Sequence, residues 1–591
     1  MKNVCPEGLI LFAVVLAAFG CDGGRGADTA DGAAGKDAGA VPDAGAATDG
    51  GIPDAGPPDA GPAYPACGSY QYIWKGLIPG NNDPGFDADL DKLARAYDRC
   101  WTIFNAAPFG MNADATVRRS NPENRDLITR FLSETDSWDF KGFSGKEPAE
   151  VIDGWGDSVG MYGGAGAAAD AYRYGTLRDR GEDCAEIERA REHLLLVLDA
   201  LHIATDITGV PGVIARAIIR RDLPGNDTRE PTPLFDENGN PLPPEKNNGT
   251  LRADNSGRYP DWIWNDSCSR DMLVGWAQAY AAVWEVIGDD PAFDETLKAR
   301  LREDARQIGL GLSIKRESGY DLEIRDADGR MTYHGVLNEN SIDRSYVEGA
   351  ENGFYAIMAL GIVGGFAFAA GDPDLDKYLT NELTKRRKLH IMARDSMQWV
   401  NMGPHSNFSN YNMAFTGAWL ALRYTPDDDA RAVLAEATQK ALYDVPGSDR
   451  QPVEMKQSWF DVIFAYSMTG GSVFGPPISP PDEAALARGI ETLKEFKFPP
   501  FWDEPVENCD GDEIASGTCM LLDETPVKLL GNVGWNDDLV ADEPIPMRVR
   551  PASNYYWRSN PYKPNGEGGG ENLLPGVDFR VAYWTGRWAK R

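Results

Sequence analysis

The chain has 591 residues and a formal net charge of −33, from 58 Lys and Arg against 91 Asp and Glu. So acidic a balance argues against nucleic acid or an anionic membrane surface as partner, because both are held by clustered Lys and Arg. It also disfavours a polyanionic substrate, while the length allows two to four domains.

Residues 1–20 read as a cleaved signal peptide. Lys2 gives a small positive start, and Gly8 to Phe19 (GLILFAVVLAAF) is an apolar run shorter than the ~20 residues a spanning helix needs. Ala18-Phe19-Gly20-Cys21 follows and resembles the bacterial lipobox, in which small residues precede a cysteine that becomes diacylated; Ala18 stands where Leu is usual. Lipidation is therefore expected at Cys21. Residues 21–66 form a tether of Gly, Ala, Asp and Pro in which PDAG recurs at Pro42, Pro53 and Pro58. Such a stretch has too little apolar surface to offset its ordering entropy. It carries eight Asp against Arg25 and Lys36, a net of −6; with Lys2 and Glu7 cancelling, the rest keeps −27. No later segment reads as a membrane span. The expected location is the cell envelope, outside the cytoplasm on the outer membrane or cell surface, with attachment by lipid only.

The remaining chain reads as a helical domain over 67–496 and a loop-rich extension over 497–591. Apolar residues at three- and four-residue spacing predict helices near Ala88–Asn105, Trp155–Thr176, Cys184–Thr205, Ser269–Ile287 and Asp294–Ser313. The pattern continues near Glu351–Ala370, Leu375–Arg394, Asn410–Tyr424, Asp428–Tyr443, Met455–Ser467 and Asp482–Lys494, and Asn121–Leu132 is a possible twelfth. Asp222 to Tyr259 is an insertion rich in Pro, Gly and Asn, and Tyr320 to Tyr333 alternates around Asp328-Gly329 as a β-hairpin. In the extension, the Phe579 to Trp588 segment is expected to dock into the helical domain.

Alternate helices differ in kind. Three contain GMYGGAGAAADAY, VGWAQAYAAVW and LGIVGGFAFAAG, and their partners are amphipathic and charged. Glycine costs a helix interior about 1 kcal/mol relative to Ala, so several in one helix imply close backbone packing. The reading is a mainly all-α fold: six helical hairpins, each with a small-residue inner helix, closed into an (α/α)6 toroid. An open α-solenoid is the alternative.

Six cysteines follow the signal region: Cys67, Cys100, Cys184, Cys268, Cys509 and Cys519. An even count in an exported chain points to disulfides, and only Cys509 with Cys519 is local enough to pair by position. No CxxC or Cys–His spacing suggests a metal, and no cofactor is expected. Asp236-Glu237-Asn238-Gly239-Asn240 lacks the following glutamate of an EF-hand and reads as a turn.

The runs AYRYGTL, DITGVPGVIAR, PDWIWNDSCSRDMLVGW and AYWTGRW resemble a group of exported bacterial helical-toroid proteins. In architecture these are similar to (α/α)6 glycoside hydrolases and polysaccharide lyases. The resemblance covers roughly Gly154 to the C-terminus. It implies the toroid and a carbohydrate substrate, and it carries no residue roles.

In a ring of hairpins the inner helices run the same way, so the residues before them share one rim. Those segments are polar: Asp153 and Asp157 beside Trp155; Asp261, Asp266 and Asp271 beside Trp262 and Trp264; His334, Glu339, Asp343, Tyr346, Glu348 and Glu351; then His405, Asn407, Asn410 and Tyr411. Any one acid can be a helix cap. The tryptophans are expected as sugar-stacking platforms, with core packing as the alternative. Glycoside hydrolysis needs one neutral and one ionised carboxyl, and the candidates are Asp157 and Asp271, then Glu351. Lyase chemistry is the second reading, from His405, Asn410 and Tyr411 with Arg216 as the basic partner. A non-catalytic surface scaffold is the third.

Overall fold

The computed structural model describes residues 74–106, 109–111, 114–502, 504–552, 560–566, 570–574 and 576–590. The expected signal peptide, Cys21 and the tether lie outside them.

Twelve helices form two concentric layers. In chain order they are α1 (Ala88–Cys100), α2 (Gly160–Arg180), α3 (Cys184–Asp206), α4 (Arg270–Ile287), α5 (Glu295–Ser313) and α6 (Gly353–Ala370). Then come α7 (Pro373–Lys377), α8 (Phe408–Tyr424), α9 (Asp428–Glu436), α10 (Ser458–Ser467), α11 (Glu483–Lys494) and α12 (Val577–Trp588). The even-numbered helices are inner: α2 touches α4, α4 touches α6, and so on through α8, α10 and α12, which returns to α2. The ring is closed, which decides for the toroid over the open solenoid. The odd-numbered helices surround it, and α1, α7 and α9 are each prolonged by a π-helical segment.

Small residues set the inner spacing. A Cβ at Gly164 of α2 would lie 2.2 Å from the Gly275 carbonyl oxygen of α4, and one at Gly361 of α6 would lie 2.3 Å from that of Gly417 in α8. No side chain fits at such distances. Gly164 faces Gly275 and Gly175 faces Val286, so α2 and α4 run parallel and their starts share one rim. The α6 helix is long and apolar enough to cross a membrane by composition, contrary to the sequence reading, yet 94% of it is buried as inner wall.

The sequence reading misplaced two elements. A helix forms at Pro122–Glu134, near the expected twelfth, but the twelfth member of the ring is α12. The Phe579 to Trp588 segment docks by becoming that inner helix. The Trp155–Thr176 helix begins only at Gly160, because residues 154–159 form two short strands. The predicted hairpin forms from Glu323–Arg325 and Met331–Val336.

Strands brace the rim. Ala115–Thr116 lies between Asn572–Leu573 and Gly154–Trp155, joining the approaches to α12 and α2. A four-stranded sheet orders Ser158–Val159, Ala217–Arg220, Trp262–Asn265 and Leu251–Ala253, joining the approaches to α2 and α4. Residues 508–549 carry a separate small core of Leu521, Val527, Leu529 and Ile545, tied by the Cys509–Cys519 disulfide. Cys184 is also disulfide-bonded.

Candidate active site on the rim

The toroid has one closed end. Where the inner helices finish, the Glu285 carboxylate accepts hydrogen bonds from Arg423 Nε (2.8 Å), the Tyr424 hydroxyl (2.7 Å) and Trp588 Nε1. Arg423 also donates to the Tyr466 hydroxyl at 2.8 Å, and the Tyr172 and Tyr424 hydroxyls are 3.2 Å apart. Phe368 stacks on Tyr424 with ring centroids 4.8 Å apart. Every inner helix contributes to this plug, and the residues named from sequence lie toward the opposite rim.

Helical phase shows which acids look inward there. Seven residues fall about 20° short of two turns, so Asp271, Gln278 and Glu285 share one face of α4. Glu285 is on the ring axis, which puts Asp271 on the axial face in the first turn. The same step on α12 relates Asp578 to Thr585, and Asp578 lines a cavity with Asn412, Trp459 and Val581. Sequence reading passed over Asp578 because its helix was not recognised as part of the ring.

Asp157 sits at the junction of α2 and α4. Its side chain is 24% exposed and forms an ion pair with Arg229. Asn265 Nδ2 donates to its other oxygen at 2.7 Å. Asn265 in turn offers its backbone oxygen to the Arg216 amide at 2.9 Å. Arg216 Nη1 donates to Ser269 Oγ at 2.7 Å, and that hydroxyl donates to Asp271. Asp157 and Asp271 thus stand on one rim, at neighbouring inner helices, linked through Asn265, Arg216 and Ser269. Arg229 could not be foreseen, since it lies in an irregular insertion; Asn265 was visible as a polar residue directly before α4.

The insertion is fixed from below. Lys246 forms ion pairs with Asp266, Asp326 and Asp328, and Arg252 with Asp266 at 2.6 Å, all nearly inaccessible. Burial disfavours the Lys246 charge, but the aspartates outweigh it and hold its pKa above the usual lysine value. Gly249 brings the insertion's backbone down beside Arg216 and Asn265.

Other expected residues fall elsewhere. Trp155 and Trp264 are core: they are 4% and 0% exposed, and their indole N–H groups donate to the carbonyls of Phe104 and Ala253. Neither presents a face to a sugar. Trp262 is half-buried against Phe109 and Arg220. Glu351 is exposed, with φ of 45°, a backbone region that costs a non-glycine residue energy. His334 is buried against Asp343 at 3.4 Å. Burial opposes ionisation of Asp343, yet hydrogen bonds from His334 and the Arg270 charge hold its pKa below the usual value. Tyr346 donates to Glu323 at 2.6 Å and stacks on Tyr320.

The residues named for lyase chemistry differ in exposure. His405 is exposed, and Asn410 is half-buried in the first turn of α8. Tyr411 is 1% exposed, packed on Phe408, with its hydroxyl 3.5 Å from the Arg450 carbonyl. Arg216 is engaged with Ser269 at the start of α4 instead. Among the described residues no group of three or more His, Cys, Asp or Glu could hold a metal ion. The Asp236 loop is an Asx turn, its carboxylate accepting from the Asn238 and Asn240 amides.

No protein-family model matches the chain, and no curated protein matches it. Similar solved structures include a sugar epimerase from a ruminal bacterium, with TM-score 0.38, 11% identity, and 84% of this chain and 98% of that chain covered. Another is an inactive variant of an α-1,6-mannanase of Salegentibacter sp. HEL1_6 in complex with α-1,6-mannotriose, at TM-score 0.27, 11% identity, and 68% and 97% coverage. A third is a metagenome-derived glycoside hydrolase family 9 endoglucanase, at TM-score 0.36, 12% identity, and 85% and 81% coverage. No residue role passes from them to this chain.

Proposed function

We propose that this chain is a glycan-active enzyme of the cell envelope, anchored by a lipid on Cys21, that hydrolyses glycosidic bonds with Asp157 and Asp271. The observation that supports the reading is the shared rim: Asp157 and Asp271, far apart in sequence, lie at the starts of neighbouring inner helices and are linked through Asn265, Arg216 and Ser269. Asp157 faces the Arg229 guanidinium and the Asn265 amide, so it is assigned the ionised role of base or nucleophile. Asp271, on the axial face of the first turn of α4, is assigned the proton-donating role as the second carboxyl that the chemistry needs. Half-buried Trp262, on the strand that also carries Asn265, is the remaining indole for an apolar sugar face.

In the lyase reading the Tyr411 hydroxyl is enclosed, which leaves the exposed His405 as its base. The test is a screen of the purified protein on neutral and uronate-containing polysaccharides, followed by Asp157→Asn and Asp271→Asn on whichever substrate is cut. Release of reducing ends without an unsaturated product, suppressed in both variants, supports hydrolysis. Products with an unsaturated sugar end would replace this reading with a lyase one. No cleavage of any polymer, with binding retained, would favour a non-catalytic scaffold.

A further inference from the structure

The plugged end of the toroid carries apolar side chains that the fold does not use. The loop after α10 exposes Met468 (40%), Phe474 (52%) and Ile478 (84%). Its backbone is nonetheless fixed: the Ile478 and Ser479 amides donate to the Thr469 carbonyl at 2.9 and 3.1 Å, and Val473 donates to the Arg423 carbonyl at 3.2 Å. Pro476, Pro477, Pro480 and Pro481 stiffen it further. A held loop presents side chains at little entropic cost. Phe474 packs edge-on to Phe368 at the end of α6, and half-buried Trp284 ends α4 on the same side. Indoles suit a boundary between apolar and wet surroundings.

The chain reaches the toroid on this face. Trp74, the first described residue, donates to Asp179 at the end of α2 and meets Trp588 at the end of α12, with ring centroids 5.4 Å apart. About 50 residues separate it from Cys21. An anchor at Cys21 would tether the toroid from the end at which the described chain begins.

We propose that the plugged face of the toroid, through Phe474 and Ile478, rests on a lipid surface and turns the Asp157–Asp271 rim away from it. The net charge of −27 on the chain beyond the tether points to zwitterionic rather than anionic headgroups. This reading rests on the Cys21 anchor and is independent of the catalytic one.

The experiment uses the full lipidated chain on phosphatidylcholine vesicles containing a nitroxide-labelled lipid. A bimane label is placed at Ile478→Cys or, as the rim control, at Val347→Cys, which is 40% exposed in the wild type. Cys100 and Cys268 are buried and stay unlabelled in the native protein. Position 478 should be quenched at least about threefold more than position 347. Equal quenching, quenching confined to 347, or none at either position overturns the proposal, as does a chain that does not stay on the vesicles. A lipid-free dimer lost in Phe474→Ser/Ile478→Ser, together with no quenching, assigns the face to a second copy instead. None of these outcomes depends on finding a substrate.

Discussion

Asp170 and Arg580, 410 residues apart, form a 2.6 Å ion pair with side chains 3% and 1% exposed. Asp170 lies in the first inner helix and Arg580 in the last, so the pair fastens the seam where the ring closes. Arg580 also reaches Asp98 of α1 at 2.9 Å, while Trp101 and His193 contact Asp170 at 3.0 and 3.2 Å. Arg580→Met should leave these carboxylates buried without their shared counter-charge, at a cost of about 3–5 kcal/mol. A melting temperature matching the wild type would show that the seam does not need the pair.

Acid should open the same seam. Burial works against the Asp170 charge, but Arg580 and His193 outweigh it and hold its pKa at about 2. A carboxylate with a depressed native pKa contributes stability above its unfolded value, near 4, and loses it as pH falls through the native one. Stability measured from pH 4 down to pH 2 should therefore drop, and Asp170→Asn should remove that part of the slope.

Asp461 behaves in the opposite sense. It is buried in α10 between the Tyr443 hydroxyl and Arg488, and burial lifts its pKa to about 7. The native state then holds a proton that the unfolded chain releases near pH 4. Stability should fall as pH rises from about 4 to 7, by at most about 4 kcal/mol. Chemical denaturation at pH 5 and pH 8 checks this, and Asp461→Asn should flatten the difference; an unchanged difference in the variant assigns it to other groups.

For the rim acids, catalysis and capping make different demands. If Asp157 and Asp271 do acid–base work, replacing either by Asn should lower turnover by about 10²-fold or more while the fold persists. A capping role predicts a loss of about 1 kcal/mol in stability and little change in rate. Melting temperature and initial rate, measured on the same preparations, separate the two.

The Cys509–Cys519 bridge closes a short loop over the small core of residues 508–549. Removing it with Cys509→Ser/Cys519→Ser should cost about 2–3 kcal/mol in the chain-entropy model, concentrated in this region. Hydrogen exchange that rises throughout the toroid, rather than here, would contradict a local role.

Attachment at Cys21 is the remaining expectation. Cys21→Ser should move the protein from the membrane fraction to the soluble one. Identical partitioning of variant and wild type would remove the lipid anchor and, with it, the orientation proposed above.

Helix positions were legible because an amphipathic period is a local property: residues three and four apart share a face wherever the helix later packs. The small-residue runs around Gly164, Gly275 and Gly361 also announced an inner layer, since only close packing explains them. The Cys509–Cys519 pair was readable for the same reason, lying ten residues apart. The rim acids were named from sequence, but their linkage was not, because Asp157 and Asp271 connect through Asn265, Arg216 and Ser269 across a sheet whose register is set by distant strands. Trp155, Trp264 and Tyr411 show the limit most sharply. Side-chain type told what they could bind; only the tertiary structure decided that other segments cover them, since burial depends on segments outside the local pattern. Ring closure is of this kind too. The sequence showed a final apolar segment, whereas its place as the sixth inner helix was decided by the buried ion pairs of Arg580 with Asp98 of α1 and Asp170 of α2.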